Sequence, residues 1–117
     1  MEMYAVIATH GRPVLLERTL LSLAQTRLPE GFRQCLVIEN GSDAGAEALC
    51  RDMKDKLPIR YHNLGAPGKS RALQWAIDHV VGNALAVFFD DDIRLDPGIL
   101  QTYATAAEQH GPEMIYG

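Results

Sequence analysis

Apolar residues along this chain recur in two alternating periods. Met3 to Thr9 (MYAVIAT) is a short apolar, β-branched run that predicts a strand. After the turn His10-Gly11-Arg12, Pro13 marks a helix start, where its missing N–H costs nothing. Leu16, Leu20, Leu23 and Ala24 hold helical spacing to about Thr26. Gln34 to Glu39 (QCLVIE) predicts a second strand. The turn cluster Asn40-Gly41-Ser42-Asp43 then leads into a helical stripe of Ala46, Leu49, Cys50, Met53 and Leu57. Ile59 to His62 predicts a third strand, and Leu73, Ala76, Ile77, Val80 and Val81 mark one face of the helix after it. Ala84 to Phe89 is apolar at every position, as expected of a strand covered on both faces. Asp96-Pro97 predicts a cap and a first-turn proline for a helix with Leu100, Tyr103, Ala104 and Ala107 inward, and Met114 to Gly117 begins a fifth strand.

Strands alternating with single helices predict right-handed crossovers, hence an α/β fold of three layers with a mostly parallel sheet between helices. In such sheets ligands sit beyond the carboxyl ends of the strands, where the winding direction reverses. That rule singles out Thr9-His10, Glu39-Asn40, the loop after His62, and Asp90 to Asp92.

Composition narrows the classes. A chain of 117 residues with 47% hydrophobic content suits one compact domain. No apolar run is long enough to span a bilayer, and Met1-Glu2-Met3-Tyr4 lacks the basic start of a secretory signal, so a cytoplasmic location is expected, compatible with peripheral attachment at the inner membrane face. The net charge of −4 gives no basic face for nucleic acid, and the expected ligand is small. Cys35 and Cys50 fall at core positions and read as buried thiols; the four histidines show no metal-ligand spacing.

The acidic triplet Asp90-Asp91-Asp92 follows the most apolar strand. Neighbouring carboxylates repel and raise one another's pKa, so such a cluster costs stability unless a cation or donor array offsets it. Oxygen donors without His or Cys point to a hard divalent ion, Mg²⁺ or Mn²⁺. In an extended segment Asp90 and Asp92 would share one side and Asp91 would point away. The loop Asn63 to Leu73 (NLGAPGKSRAL) places Gly68, Lys69 and Arg71 at a helix start, where backbone N–H groups favour anions. It also resembles a phosphate-binding loop of nucleotide hydrolases, but that pattern needs glycine where Asn63 stands. A phosphoacceptor signalling domain of flavodoxin-like topology would need acids after the first strand, where this chain has Thr9-His10.

Four segments in order resemble one family. VIATHGRPVLLERTLLSLAQT, LVIENGSDAG, NLGAPGKSRALQWAI and AVFFDDDIRLDPGIL are similar to the opening strand–turn–helix, the acidic strand end, the glycine-basic segment and the Asp-x-Asp motif of family 2 glycosyltransferases. The resemblance implies a Rossmann-like GT-A fold and transfer of a hexose from a nucleotide-diphospho-sugar, with UDP-sugar as the expected donor. It implies inversion, dependence on Mn²⁺ or Mg²⁺, and a carbohydrate or lipid-linked acceptor. By position, Thr9 and Glu39 would contact the nucleoside, Lys69 or Arg71 would lie near the base or diphosphate, Asp90 would face the ribose or sugar, and Asp92 would hold the metal, with Asp90 beside it. His10, Arg12, Asn40, Gly68 and Asp91 complete the expected donor-binding set. Glu39-Asn40 departs from the family's paired aspartates and Gln74 from its common Asn. The family's acceptor half, with its catalytic base, would lie beyond residue 117; the chain reads as a donor-binding half, and binding without turnover is an alternative, as is a P-loop-like nucleotide-binding or hydrolysing domain.

Overall fold

The computed structural model describes residues 2–65 and 68–110. Its elements are β1 (Met3–Thr9), α1 (Pro13–Ala24), β2 (Phe32–Glu39), α2 (Ala46–Asp52), β3 (Ile59–Asn63), α3 (Lys69–Ala76), a π-helical segment (Ile77–Val81), β4 (Leu85–Phe89) and α4 (Ile99–His110). The fifth strand expected at Met114 to Gly117 lies outside the described residues.

The four strands pair in the order β3-β2-β1-β4, and every pairing is parallel. β1 is an inner strand: Ile7 aligns with Val37 on one side and Phe89 on the other. Because β2 and β3 lie on one side of β1 and β4 on the other, the winding reverses between β1 and β4. A crevice therefore opens beyond Thr9 and Phe89.

Side-chain alternation along each strand divides the core in two. Ala5 and Ile7, Cys35 and Val37, and Val87 and Phe89 face Leu16, Leu20 and Leu23 of α1 and Leu100 of α4. Val6, Leu36 and Ile38 face Ala72 and Ala76 of α3. Leu16, Leu20 and Leu23 are fully buried, and each such side chain contributes on the order of 1.5–3 kcal/mol. Pro13 stands at the first turn of α1, as its ring geometry favours.

Local departures from the predicted pattern have local causes. α2 ends at Asp52, and Met53 and Leu57 stay buried in the turns that follow, where the Leu57 N–H donates to the Met53 carbonyl. α4 begins at Ile99, after the Ile99 N–H closes a turn on the Asp96 carbonyl. β4 is not covered on both faces throughout. Ala84 and Ala86 pack into the α3-side core, but Phe88, nearer the carboxyl end, is 43% exposed.

Candidate donor-binding cleft

Three strand tips converge on a cleft of about 300 Å³ lined by Ala8, Thr9, His10, Arg12, Asn40, Gly68, Asp90 and Asp91. A backbone hydrogen bond from Asn40 N–H to the Thr9 carbonyl joins the tips of β1 and β2 at 2.9 Å. The opposite end of the sheet carries a larger hollow of about 410 Å³, but Glu2, Glu30 and Glu108 line it, which disfavours an anionic ligand there.

Thr9 is buried, and its Oγ1 donates to Asp91 Oδ2 at 2.8 Å. Asp91 is 2% exposed, and its other oxygen lies 3.2 Å from Arg12 Nη2. Arg12 Nη1 lies 3.6 Å from Asp92 Oδ2, so one guanidinium spans two consecutive carboxylates. Asp91 was expected to point away from the site; instead it is the buried anchor of the triplet. The reason is local geometry: β4 ends at Phe89 and the chain turns at Asp91 and Asp92, so strand alternation no longer applies. Asp90 and Asp91 line the cleft together, while Asp92 stands exposed beside it.

The turn is pinned from α1 by residues whose role was not read from the sequence. Thr19 Oγ1 donates to the Ile93 carbonyl and accepts from the Ile93 N–H, both at 3.1 Å. Ser22 Oγ accepts from the Leu95 N–H at 2.7 Å and donates to the Leu95 carbonyl at 3.4 Å. The available signal was a polar Thr19 among the leucines that face the core, where a hydroxyl needs a partner.

Glu39 occupies an unexpected environment. It is 1% exposed and does not line the cleft. Its Oε1 accepts from Tyr61 Oη at 2.5 Å, and its Oε2 accepts from the Ala44 N–H at 3.3 Å. Asn63 Nδ2 in turn donates to Tyr61 Oη at 3.1 Å. Burial, and then the hydrogen bond to Glu39, push the Tyr61 phenol well above the usual tyrosine range, so it remains a donor. Nothing in the sequence around Tyr61 or Asn63 marks either as a partner of this network.

Asn40 takes the place at the cleft that Glu39 vacates. The residue is 6% exposed, and its Oδ1 is buried with no hydrogen-bond partner among the described residues. His10 Nδ1 contacts the Asn40 carbonyl oxygen. This contact explains Gly41: at φ +113°, an added Cβ would stand 2.9 Å from His10 Cε1. Gly68 lines the cleft at φ +129°, directly before α3. Lys69 is the first residue of α3, its side chain outside the described ones, and Arg71 is exposed one turn along, its stem against Gly68. Asn63 Oδ1 accepts from the Gly65 N–H at 2.6 Å, a side-chain turn at the position where a P-loop would have glycine.

Among the described residues no group of three or more His, Cys, Asp or Glu side chains is arranged to hold a metal ion. The donor set nevertheless fits a hard divalent cation of the Mg²⁺ type. Such ions commonly take one or two carboxylates and complete their shell with substrate phosphates and water. Asp92, exposed, and Asp90 at the cleft mouth offer that chemistry. No described helix is long and apolar enough to cross a membrane.

Comparison with known proteins places this geometry. The family model described as Glycosyl transferase family 2 matches residues 4–117. No curated protein matches the chain. Among solved structures, S. aureus TarS 1–349 superposes with a TM-score of 0.80 at 19% identity over 94% of this chain and 33% of its own. The same protein in complex with UDP-GlcNAc gives 0.76 at 22% identity over 94% of this chain and 32% of its own. The mannosyltransferase PcManGT from Pyrobaculum calidifontis, in complex with GDP-Man and Mn²⁺, gives 0.77 at 19% identity over 91% of this chain and 32% of its own. The chain thus spans about a third of the length of these structures, and at these identities the likeness is one of fold. With a family match running from the first strand through the acidic turn, the chain belongs to glycosyl transferase family 2.

Proposed function

We infer that the cleft binds the nucleoside diphosphate of a sugar donor, and that these residues form the donor-binding half of a metal-dependent, inverting glycosyltransferase that uses a UDP-sugar. The observation that carries the reading is Asn40, which lines the cleft and whose buried Oδ1 has no hydrogen-bond partner among the described residues. Leaving such an acceptor unsatisfied costs about 1–3 kcal/mol, which a ligand donor would recover. A carboxamide offers one acceptor beside donors, and this matches the imide edge of uracil, an N–H flanked by carbonyls. Guanine presents two adjacent donors, better met by a carboxylate, and the nearby Glu39 is committed to Tyr61 and Ala44.

The remaining roles follow from position. Thr9 with Asp91 shapes the floor of the cleft, and His10 flanks it. The Gly68 backbone and α3 start, with Lys69 and Arg71, suit the negative charge of a diphosphate. Asp90 lines both the cleft and an adjoining apolar hollow of about 500 Å³ formed by Leu73, Phe88, Ile93 and Tyr103 among others, which suits a contact between nucleotide and sugar. Asp92, with Asp90, would hold Mn²⁺ or Mg²⁺, which would supply charge neutralisation for a departing diphosphate; the acceptor would be a hydroxyl on a carbohydrate or lipid-linked molecule that attacks the anomeric carbon. The catalytic base is assigned to no residue of the cleft. The structural relatives in complex with UDP-GlcNAc and with GDP-Man and Mn²⁺ support a nucleotide-sugar donor and a divalent ion.

The test is a thermal-shift and calorimetric screen of UDP, UDP-sugars, GDP and ATP with and without Mn²⁺. A ligand at one hundred times its Kd stabilises the fold by about 2.7 kcal/mol. The expected result is a response to UDP with Mn²⁺ that exceeds the response to GDP, and a shift of that preference towards GDP in Asn40→Asp. A response to ATP alone would overturn the reading.

A further inference from the structure

The Arg12 guanidinium holds two unequal carboxylates. Towards Asp91 the partner is buried, at 2% exposure, and is also fixed by the Thr9 hydroxyl at 2.8 Å. Towards Asp92 the partner is 44% exposed, the separation is 3.6 Å, and Arg12 itself is 51% exposed. An exposed ion pair of this kind is weak and screened by salt, whereas the buried arm resists exchange. Asp92 is also the oxygen donor offered to the divalent cation. A carboxylate engaged by a guanidinium is a poorer metal ligand, because the cation must displace a positive charge already present.

We propose that Arg12 is a positioning residue that stands in for the divalent cation at Asp92, keeping the acidic turn neutralised before donor arrives and releasing Asp92, while retaining Asp91, when metal binds. This rests on the metal-dependent donor reading of the same cleft. It accounts for how Asp91 and Asp92 persist side by side after a buried strand: the Thr9 donor and the Arg12 charge offset them while the cation is away. It also gives the site a defined exchange, one cation for another, with Asp91 as the fixed point.

Bracing and competition give opposite signs for the effect of losing Arg12 on metal binding. If Arg12 only braced the turn, its loss would lower stability and weaken metal binding together. If it competes with the metal, its loss lowers the stability of the metal-free protein and tightens Mn²⁺ binding.

The experiment measures Mn²⁺ affinity by electron paramagnetic resonance of the free ion, alongside thermal unfolding, for wild type, Arg12→Met, Arg12→Lys, Asp92→Asn and the Arg12→Met/Asp92→Asn pair. Methionine keeps the apolar stem without the charge, and lysine retains the charge without the fork. Arg12→Met is expected to bind Mn²⁺ about 5-fold or more tightly than wild type, to melt lower without metal, and to gain more from added Mn²⁺. Arg12→Lys should fall between the two. In the Asp92→Asn background, Arg12→Met should no longer tighten Mn²⁺ binding. If wild type responds to UDP with Mn²⁺ but Arg12→Met binds Mn²⁺ no more tightly, the stand-in role is wrong and the donor reading survives. If wild type responds to neither UDP nor GDP with Mn²⁺, both fall.

Discussion

Thr9 and Asp91 are 82 positions apart in the chain, and the hydroxyl of one donates to the carboxylate of the other at 2.8 Å inside a buried site. The bond ties the inner strand β1 to the acidic turn. It also makes the end of β1 the partner of a charge that the hydrophobic run of β4 delivers.

Removing that hydroxyl should therefore be expensive. Thr9→Val keeps the β-branched shape but leaves Asp91 Oδ2 buried without its donor, a loss of about 1–3 kcal/mol. Urea denaturation should show a lower midpoint with an unchanged slope. Nucleotide affinity in the surviving folded protein should fall as well, since Asp91 lines the cleft.

Tyr61→Phe should separate stability from binding. The phenol is the donor to Glu39 Oε1, and its loss strands a buried carboxylate oxygen at a cost of about 1–3 kcal/mol. Glu39 does not line the cleft, so UDP affinity measured well below the melting transition should be unchanged. A large loss of UDP affinity would show that Glu39 reaches the ligand.

Acid should loosen the contact between β3 and α3. His62 stacks on Trp75 with ring centroids 3.8 Å apart, His79 stacks on the same indole at 4.9 Å, and Arg60 stands 5.8 Å from it. Burial, then the positive charges of Arg60 and His79, lower the His62 pKa below its ordinary 6.5. The unfolded chain thus binds more protons than the folded one between the depressed value and 6.5, so stability rises with pH through that window and is lost as pH falls. Trp75 is the single tryptophan, so its fluorescence reports this stack directly. His62→Gln should flatten the dependence below pH 6.5.

Both thiols should be silent in the folded protein. Burial, and then the Glu39 charge, push Cys50 up to about 12, and burial holds Cys35 above the ordinary thiol range. A thiol reagent at pH 8 should label neither until the chain opens, with labelling that follows added denaturant.

How much of this was legible in the sequence depends on the range of the interaction. The order of strands and helices follows from local periodicity, and Pro13 marks its helix start by ring geometry alone. The location of the cleft also follows, because a parallel sheet leaves its ligand crevice at a reversal of winding. What escaped was the partnering of side chains at that crevice. Alternation predicted an outward Asp91, yet the strand ends at Phe89, one pair of residues too early for alternation to hold. Glu39 sits at a strand tip where a nucleoside contact is expected, but a tyrosine 22 positions away on the neighbouring strand takes its carboxylate. No property of Glu39 or Tyr61 taken singly announces that bond. The same holds for Thr19 and Ser22, whose partners at Ile93 and Leu95 become visible only once α1 packs beside the acidic turn.

The inner position of β1 has a consequence for the order of synthesis. β1 emerges first from a ribosome, yet its neighbour β4 is the last of the four strands to follow. A nascent chain that has reached β3 can pair three strands and set Asn40 in place, but Thr9 still lacks Asp91. Under the donor-binding reading, nucleotide capture reports that β4 has docked beside β1, and a donor present during translation would favour chains in which that docking has occurred.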